Sequence, residues 1–267
     1  MKPLEPAQRK STAAASFNDG GRPSSTQLKL SAEIVVDSRR AAWLPQYRIL
    51  VVADTHLGFA WVQRQRHQLI PLVPDDAVDR LESLLENYPA RTLVVLGDVV
   101  HAAVATHALE QVLRDFCLRL HHDGRALVFV LGNHDRGLAH RLDTWKLPAR
   151  AVPEFKVAGF RLVHGDQGLT ETRSGERILS GHEHPCLELG DGVATRAKVP
   201  CFLWSADPLV FPAFSNWAAG SIARPGQFLG PIAAAARFTE MIACLGPRLL
   251  RLPFPFPPFQ TSTASKK

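Results

Sequence analysis

The residues of this chain best equipped for chemistry are histidines, aspartates and one asparagine. They come in short groups: Asp54-Thr55-His56, Gly97-Asp98, Gly132-Asn133-His134-Asp135, His164-Gly165-Asp166 and Gly181-His182-Glu183-His184. Neutral imidazole, carboxylate and amide oxygen are the donors that suit borderline divalent cations such as Mn, Fe or Zn. No cysteine takes part, which argues against a structural zinc site. Each group follows a largely apolar stretch: Ile49–Ala53, Thr92–Leu96, Ala126–Leu131, Phe160–Val163 and Arg177–Ser180. The run Ala126–Leu131 is continuously apolar, the mark of a strand buried on both faces. It stops at Gly132, and Asn133, His134 and Asp135 follow at once. In open α/β sheets, ligands bind beyond the carboxyl ends of the strands. One such strand end is explained equally well by a polar turn capping the next helix. The recurrence at all five stretches is not.

In chain order these groups read D-x-H, G-D, G-N-H-D, H-G and G-H-x-H, and they resemble the motifs of the calcineurin-like metallophosphoesterase superfamily over Asp54 to His184. The lead-in Trp43-Leu44-Pro45, then V-A-D-T-H-L-G-F-A and a basic segment, is similar to the ligase-associated DNA damage response phosphodiesterases and the ICC-like phosphoesterases. Those commonly have Leu where Thr55 stands. The middle residue of that motif points away from the metals in the family fold, so the departure leaves the chemistry intact. The resemblance implies two divalent cations, Mn first and Fe, Zn or Ni as alternatives, about 3.5–4 Å apart. Asp98 holds the family's bridging position; Asp54, His56 and His184 complete one metal shell, and Asn133, His164 and His182 the other. The two carboxylates offset part of the metals' charge, and the neutral ligands leave the pair electrophilic. By the same resemblance, a water bridging the metals would have its pKa lowered toward neutral and could attack phosphorus as hydroxide. His134 is the candidate catalytic residue that binds no metal. In the family this His stabilises the phosphate or protonates the leaving oxygen, with Asp135 expected to orient it by a hydrogen bond. No Ser, Cys or Gly-rich phosphate loop competes as a nucleophile site, so a covalent phosphoenzyme is not needed.

The residues behind the first motif bear on substrate. Arg64, Arg66 and His67 lie in the segment 58–70, which is either a solvated helix face or a phosphate-contacting segment. Arg64, Arg66 and His101 are the candidate substrate contacts. The leading expectation is a phosphodiesterase acting on a nucleic acid, single-stranded in particular, or on a nucleotide. The alternatives are a phosphomonoesterase, a nucleotide pyrophosphatase acting on a small molecule, or a non-catalytic metal-binding scaffold. The intact ligand set and His134 weigh against the scaffold. The resemblance also implies DNA-repair partners such as a DNA ligase or helicase.

The elements that must position these groups follow from pattern and composition. A chain of 267 residues, 46% hydrophobic, suits one α/β domain with a large core, or one domain with tails. Net charge is +6, from 31 basic and 25 acidic residues, and the pI is about 9.4, compatible with polyanionic partners. Cys117, Cys186, Cys201 and Cys244 are scattered with no C-x-x-C, so they read as reduced core thiols of a cytoplasmic protein. No apolar run is long enough for a membrane span, and no secretory h-region stands at the N-terminus. Residues 1–28, rich in Ser, Thr, Ala, Pro and Gly, are expected to be a disordered tail, 29–252 the domain, and 253–267 a Pro-rich flexible tail.

Leu30–Val36 reads as a first strand, with Arg39-Arg40 in the turn after it. Asp75–Asn87 reads as a helix, and Thr106 can cap a second over His107–His122. Residues 138–153 form a crossover. Shorter strands follow at Phe155–Val157, Val199–Leu203 and Leu209–Ala213, with a loop at Gly190–Lys198 and a hairpin of Glu240–Cys244 with Arg248–Leu252. Lead-in strands, alternating units and a strand-rich second half give an αββα sandwich of two mixed sheets flanked by helices.

Overall fold

The computed structural model describes residues 26–255 apart from 66, 68–75, 102–106, 172–173, 191–195 and 219. Thr106, expected to cap a helix, and Arg66 therefore lie outside the described residues, as do nearly all of the N-terminal tail and most of the C-terminal one.

The first sheet runs in chain order. β1 (Gln27–Lys29), β2 (Val35–Asp37), β3 (Ala41–Leu44) and β4 (Ile49–Ala53) are antiparallel neighbours. From β4 onward the sheet is parallel, through β5 (Thr92–Leu96), β6 (Ala126–Val130) and β7 (Arg150–Val152). The helices α1 (Phe59–Gln65), α2 (Ala77–Asn87), α3 (His107–His122) and α4 (Leu138–Thr144) occupy the crossovers. The second sheet is assembled from β8 (Phe155–Val157), β9 (Phe160–Val163), β10 (Arg177–Ser180), β11 (Pro185–Gly190), β12 (Arg196–Trp204), β13 (Leu209–Val210), β14 (Ser221–Ile222), β15 (Glu240–Leu245) and β16 (Arg248–Pro253). It mixes parallel pairs, β9 with β10 and β10 with β13, with antiparallel ones. A short helix, α5 (Pro231–Ala235), covers part of its outer face.

The continuous apolar runs have a direct packing explanation. Side chains alternate across a strand, and here both faces are covered. On β4, Leu50 and Val52 join the core under the helices, with Leu84, Leu113 and Phe116, while Ile49, Val51 and Ala53 join the core between the sheets. β5 and β6 divide in the same way: Leu93, Val95, Leu127 and Phe129 face the helices, and Val94, Leu96, Val128 and Val130 face Leu162, Leu179 and Phe202 of the second sheet. A strand with no solvent face has no use for polar residues until it leaves the core, so its first polar group marks its end. All four cysteines are buried and free.

Some expectations need correction. Leu30–Val36 is not one strand: the N–H groups of Leu30 and Ser31 both donate to the Ile34 carbonyl, at 2.9 and 3.3 Å, which folds the stretch into a hairpin of β1 and β2. The polar interruption Ser31-Ala32-Glu33 supplies the turn, with the Ser31 hydroxyl accepting from the Glu33 N–H. The loop expected at Gly190–Lys198 is shorter than read, since Gly190 ends β11 and Arg196 begins β12. The outer helical layer on the second sheet amounts to α5 alone among the described residues.

Candidate metal centre

Parallel pairing with no offset brings the strand ends together. Ala53 lies opposite Leu96, Leu96 opposite Val130, and Val163 opposite Ser180. The polar groups that follow therefore leave both sheets at one edge. The chain then turns sharply: Asp54, His56, Asp98, His182 and His184 all have φ between 44° and 71°. Left-handed backbone is unfavourable for most side chains and is tolerated best by Asn, Asp and His. Its clustering at one edge is the kind of strain that functional sites hold. Backbone bonds fix these turns, with Asp54 N–H donating to the Gly97 carbonyl (3.2 Å), His56 N–H to the Asp98 carbonyl (2.8 Å) and Gly181 N–H to the His164 carbonyl (2.8 Å). The glycines are there for room. A Cβ on Gly97 would overlap the His164 ring, and one on Gly181 would lie 2.6 Å from Asp54 Oδ2.

The donors fall into two adjoining sets. Asp54, His56, Asp98 and His184 offer ligand atoms that all lie within 4.8 Å of one another. His56 Nε2 faces His184 Nε2 at 3.4 Å, and His184 Nε2 lies 3.4 Å from Asp54 Oδ1. On the other side, His164 Nε2 is 3.1 Å from Asn133 Oδ1, 3.2 Å from His182 Nδ1 and 3.5 Å from Asp98 Oδ1. The His164 Nδ1–H donates to the Leu96 carbonyl at 3.3 Å, which leaves Nε2 as the free lone pair. These residues fit divalent cations. Their nitrogens and oxygens converge on common points, and Asp54 Oδ1 is buried with no hydrogen-bond partner. Buried polar atoms are rarely left so.

Burial and close opposite groups pull against each other across the site. Burial pushes His56 down to about 3, against the pull of Asp54. Burial likewise lowers His182. Burial would raise Asp54, but the neighbouring His184, His164 and His56 outweigh it and hold the carboxyl below its ordinary range. Asp98 is raised by burial. Burial opposes a proton on His184, but the adjoining Asp54 carboxylate prevails and raises it. Divalent cations in the site would supply the positive charge that Asp54 and Asp98 now face only in part.

His134 stands at the mouth, its side chain 40% exposed, with Nε2 3.9 Å from Asp98 Oδ2. Its backbone N–H donates to Asp98 Oδ1 at 2.9 Å. The expectation that Asp135 orients the ring is not met. The His134 Nδ1–H donates instead to the backbone carbonyl of His101, at 2.8 Å. The Asp135 carboxylate turns inward and accepts from Gly132 N–H (2.9 Å) and Val100 N–H (3.1 Å). The reason is position: Asp135 is buried under the loop, where unpaired N–H groups need an acceptor, and its pKa is pushed up to about 6 by that burial. Asp135 thus ties the loop after β6 to the loop after β5. Asp135→Asn would turn an amide NH₂ toward at least one of those N–H groups. It should cost about 1–3 kcal/mol of stability and lower turnover on all substrates alike. A melting temperature equal to wild type would contradict this tie.

Of the other sequence candidates, His101 borders the site, its ring 5.5 Å from that of His56. Arg64 lies on the exposed last turn of α1, and Asp166 is half-buried beyond His164. The Thr55 hydroxyl points to the Val99 carbonyl at 3.0 Å, away from the donors. Sequence reading passed over several residues at this edge. Glu183, between two histidines, accepts from the N–H groups of Leu229 (2.8 Å) and Gly230, fixing the loop before α5. Arg40, read as part of a turn, is largely buried and holds the segment 213–215. Phe59 and Trp217 meet beside His101. The intervals between these residues are long, so no local pattern signals the contacts.

A model of the calcineurin-like phosphoesterase family matches residues 47–189, which contain every donor of both sets. No curated relative matches the chain. Among solved structures, the crystal structure of the Pseudomonas putida nuclease MPE is similar, with a TM-score of 0.65 at 24% identity over 85% of this chain and 98% of that one. At that identity the likeness is one of fold. No helix among the described residues is long and apolar enough to cross a membrane.

Proposed function

The chain belongs to the calcineurin-like phosphoesterase family and is a metal-dependent hydrolase of phosphoester bonds; from that premise we propose that it is a phosphodiesterase of nucleic acids or nucleotides with a dinuclear centre. The observation that carries the dinuclear reading is the position of Asp98. Its Oδ2 faces His56 at 3.8 Å, and its Oδ1 faces His164 at 3.5 Å, so one carboxylate looks into both donor sets. In this reading Asp54, His56, Asp98 and His184 hold one ion, and Asp98, Asn133, His164 and His182 the other. The donor set, oxygen and imidazole without thiolate, suits Mn²⁺, with Fe, Zn or Ni as alternatives. Bound there, two such ions supply Lewis acidity toward phosphoryl oxygens and water acidic enough for in-line displacement.

The protein's own residues do the rest. Asp54 and Asp98 offset the charge of the ions and of the phosphate. The His101 carbonyl holds His134 with Nε2 turned toward the site, where the protonated ring gives its proton to the leaving oxygen. Asn133 and His134 are accessible at the mouth, so an extended substrate can reach them. The nucleic-acid part of the reading is supported by three observations: the P. putida protein of the same fold is named a nuclease, the net charge is +6, and α1 begins beside His101 and carries the exposed Arg64.

A substrate panel with Mn²⁺ tests the reading, using a single-stranded oligonucleotide, bis-p-nitrophenyl phosphate and p-nitrophenyl phosphate, with His134→Ala as control. The diesters should exceed the monoester in kcat/KM. Oligonucleotide cleavage should weaken steeply with salt, because each neutralised phosphate releases counterions, and Arg64→Ala/Arg66→Ala should flatten that slope. Preference for the monoester would overturn the diesterase reading. Failure to cleave the oligonucleotide would end the nucleic-acid one.

A further inference from the structure

A line of aromatic rings leads away from the donor cluster. His56, a candidate ligand, has its ring centre 5.5 Å from that of His101. His101 meets Phe59 at 4.4 Å, and Phe59 stacks on Trp217 at 5.6 Å with the planes 13° apart. Phe59, His101 and Trp217 are half-buried, and neither Phe59 nor Trp217 is a member of the hydrophobic cores that hold the sheets and helices together.

Trp217 is also held in place with unusual care. It follows a segment that leaves the second sheet after β13 and crosses to the end of β4. There Phe214 N–H donates to the Ala53 carbonyl (2.8 Å) and Ser215 N–H to the Asp54 carbonyl (3.1 Å). The Arg40 guanidinium donates to the carbonyls of Ala213 (3.1 Å) and Ser215 (3.0 Å). Arg80 donates to the Phe214 carbonyl (2.8 Å) and lies over the Phe214 ring at 4.2 Å. The Trp217 backbone N–H donates to Ser215 Oγ at 3.1 Å. A large ring carried on a segment fixed to the backbone of a ligand-bearing strand, and stacked on Phe59 beside the site, is preorganised for contact with whatever enters.

We propose that Phe59 and Trp217 form a stacking platform for a nucleobase next to the scissile phosphate, with His101 between the platform and the metal centre. This rests on the nucleic-acid reading above. It adds a base-contacting site and gives the single-stranded expectation a physical basis: bases in a duplex have their faces covered by neighbours, whereas an unstacked base presents a π-face to aromatic side chains without regard to sequence.

The test compares wild type, Trp217→Leu, Phe59→Leu and Trp217→Phe on two Mn²⁺-dependent reactions. One substrate is a single-stranded oligodeoxynucleotide. The other is an oligomer of the same length that is abasic throughout, with the same phosphates and sugars and no nucleobases. Binding of both, end-labelled, is read by fluorescence anisotropy on the His134→Ala background. Wild type should favour the base-bearing oligomer. Each leucine variant should lower the base-bearing to abasic ratio of kcat/KM by about 5- to 100-fold, as for the loss of one base–aromatic stack, mostly through KM and with a matching change in Kd. Trp217→Phe, which keeps a flat ring, should recover most of it. Equal losses on the two oligomers, or a wild-type ratio near one, would overturn the platform while leaving the nucleic-acid reading intact. Wild type that cleaves neither oligomer yet hydrolyses bis-p-nitrophenyl phosphate would overturn that reading, and the platform with it.

Discussion

Asp98→Ala should purify with little bound metal and no measurable hydrolysis. Asp98 is the side chain whose two oxygens face opposite donor sets, His56 at 3.8 Å and His164 at 3.5 Å. Its loss takes a negative ligand from both ions at once, whereas removing any other donor in the proposed set touches one. Substitution of groups that merely orient a metal ligand costs roughly 10–100-fold in affinity or activity, so removal of a shared ligand should cost more. The variant should still fold. Asp98 is 3% exposed and burial raises its pKa, so without cations it is a charge the fold holds at a cost. Metal-free Asp98→Ala should therefore melt no lower than metal-free wild type, apart from the loss of the bond that Asp98 Oδ1 accepts from His134 N–H. Metal analysis of the purified protein decides the point. Near-normal metal content would sink the assignment of Asp98 as a shared ligand.

His134→Ala should give the opposite dissociation, with metal retained and rate lost. The ring is no member of either donor set, and its Nδ1–H is spent on the His101 carbonyl. Nε2 is left facing the site, 3.9 Å from Asp98 Oδ2. Proton transfer by a positioned group is worth roughly 10²–10⁴-fold. The loss should be largest for oligonucleotides and alkyl diesters, whose leaving oxygen needs a proton. It should be smaller for p-nitrophenyl esters, whose leaving group does not. Because the side chain is 40% exposed, the change in melting temperature should be small. An equal loss on both substrate types would mean that His134 stabilises charge and transfers no proton.

Much of this site is legible in one dimension. A strand covered on both faces favours apolar residues, so the groups that follow Ala53, Leu96, Leu131, Val163 and Ser180 announce the ends of core strands. Parallel strands gather those ends at one edge. The hairpin expected at Glu240–Cys244 and Arg248–Leu252 forms as β15 and β16 for the same kind of local reason, a Gly246-Pro247 turn between two strand-like runs. The split of Leu30–Val36 was less legible, because the stretch reads as a strand apart from its few turn residues.

Orientation is what the sequence leaves open. Asp135 follows His134 directly, so adjacency suggested that one serves the other. In the fold the carboxylate is drawn down to the N–H groups of Gly132 and Val100, and a backbone carbonyl from a different loop takes its place beside the imidazole. Whether a polar side chain meets its chain neighbour or a distant backbone group depends on which loop lies over it, and that is fixed by packing between β5 and β6. The same holds for Arg40, which looked like a turn residue but donates to three carbonyls of the segment 213–215.

What the sequence by itself determined was the family, the order of the donor groups and the strands that end in them, because these depend on residue type and on intervals of a few residues. Only the tertiary structure decided that Asp98 faces both donor sets, that the His101 carbonyl holds His134, and that Phe59 from α1 meets Trp217 from the segment after β13 beside His101. Those contacts join residues tens to well over a hundred positions apart. They form because left-handed turns at the strand ends and the half-buried Arg40 and Arg80 aim the loops of both sheets at one edge, a consequence of packing that local pattern does not encode.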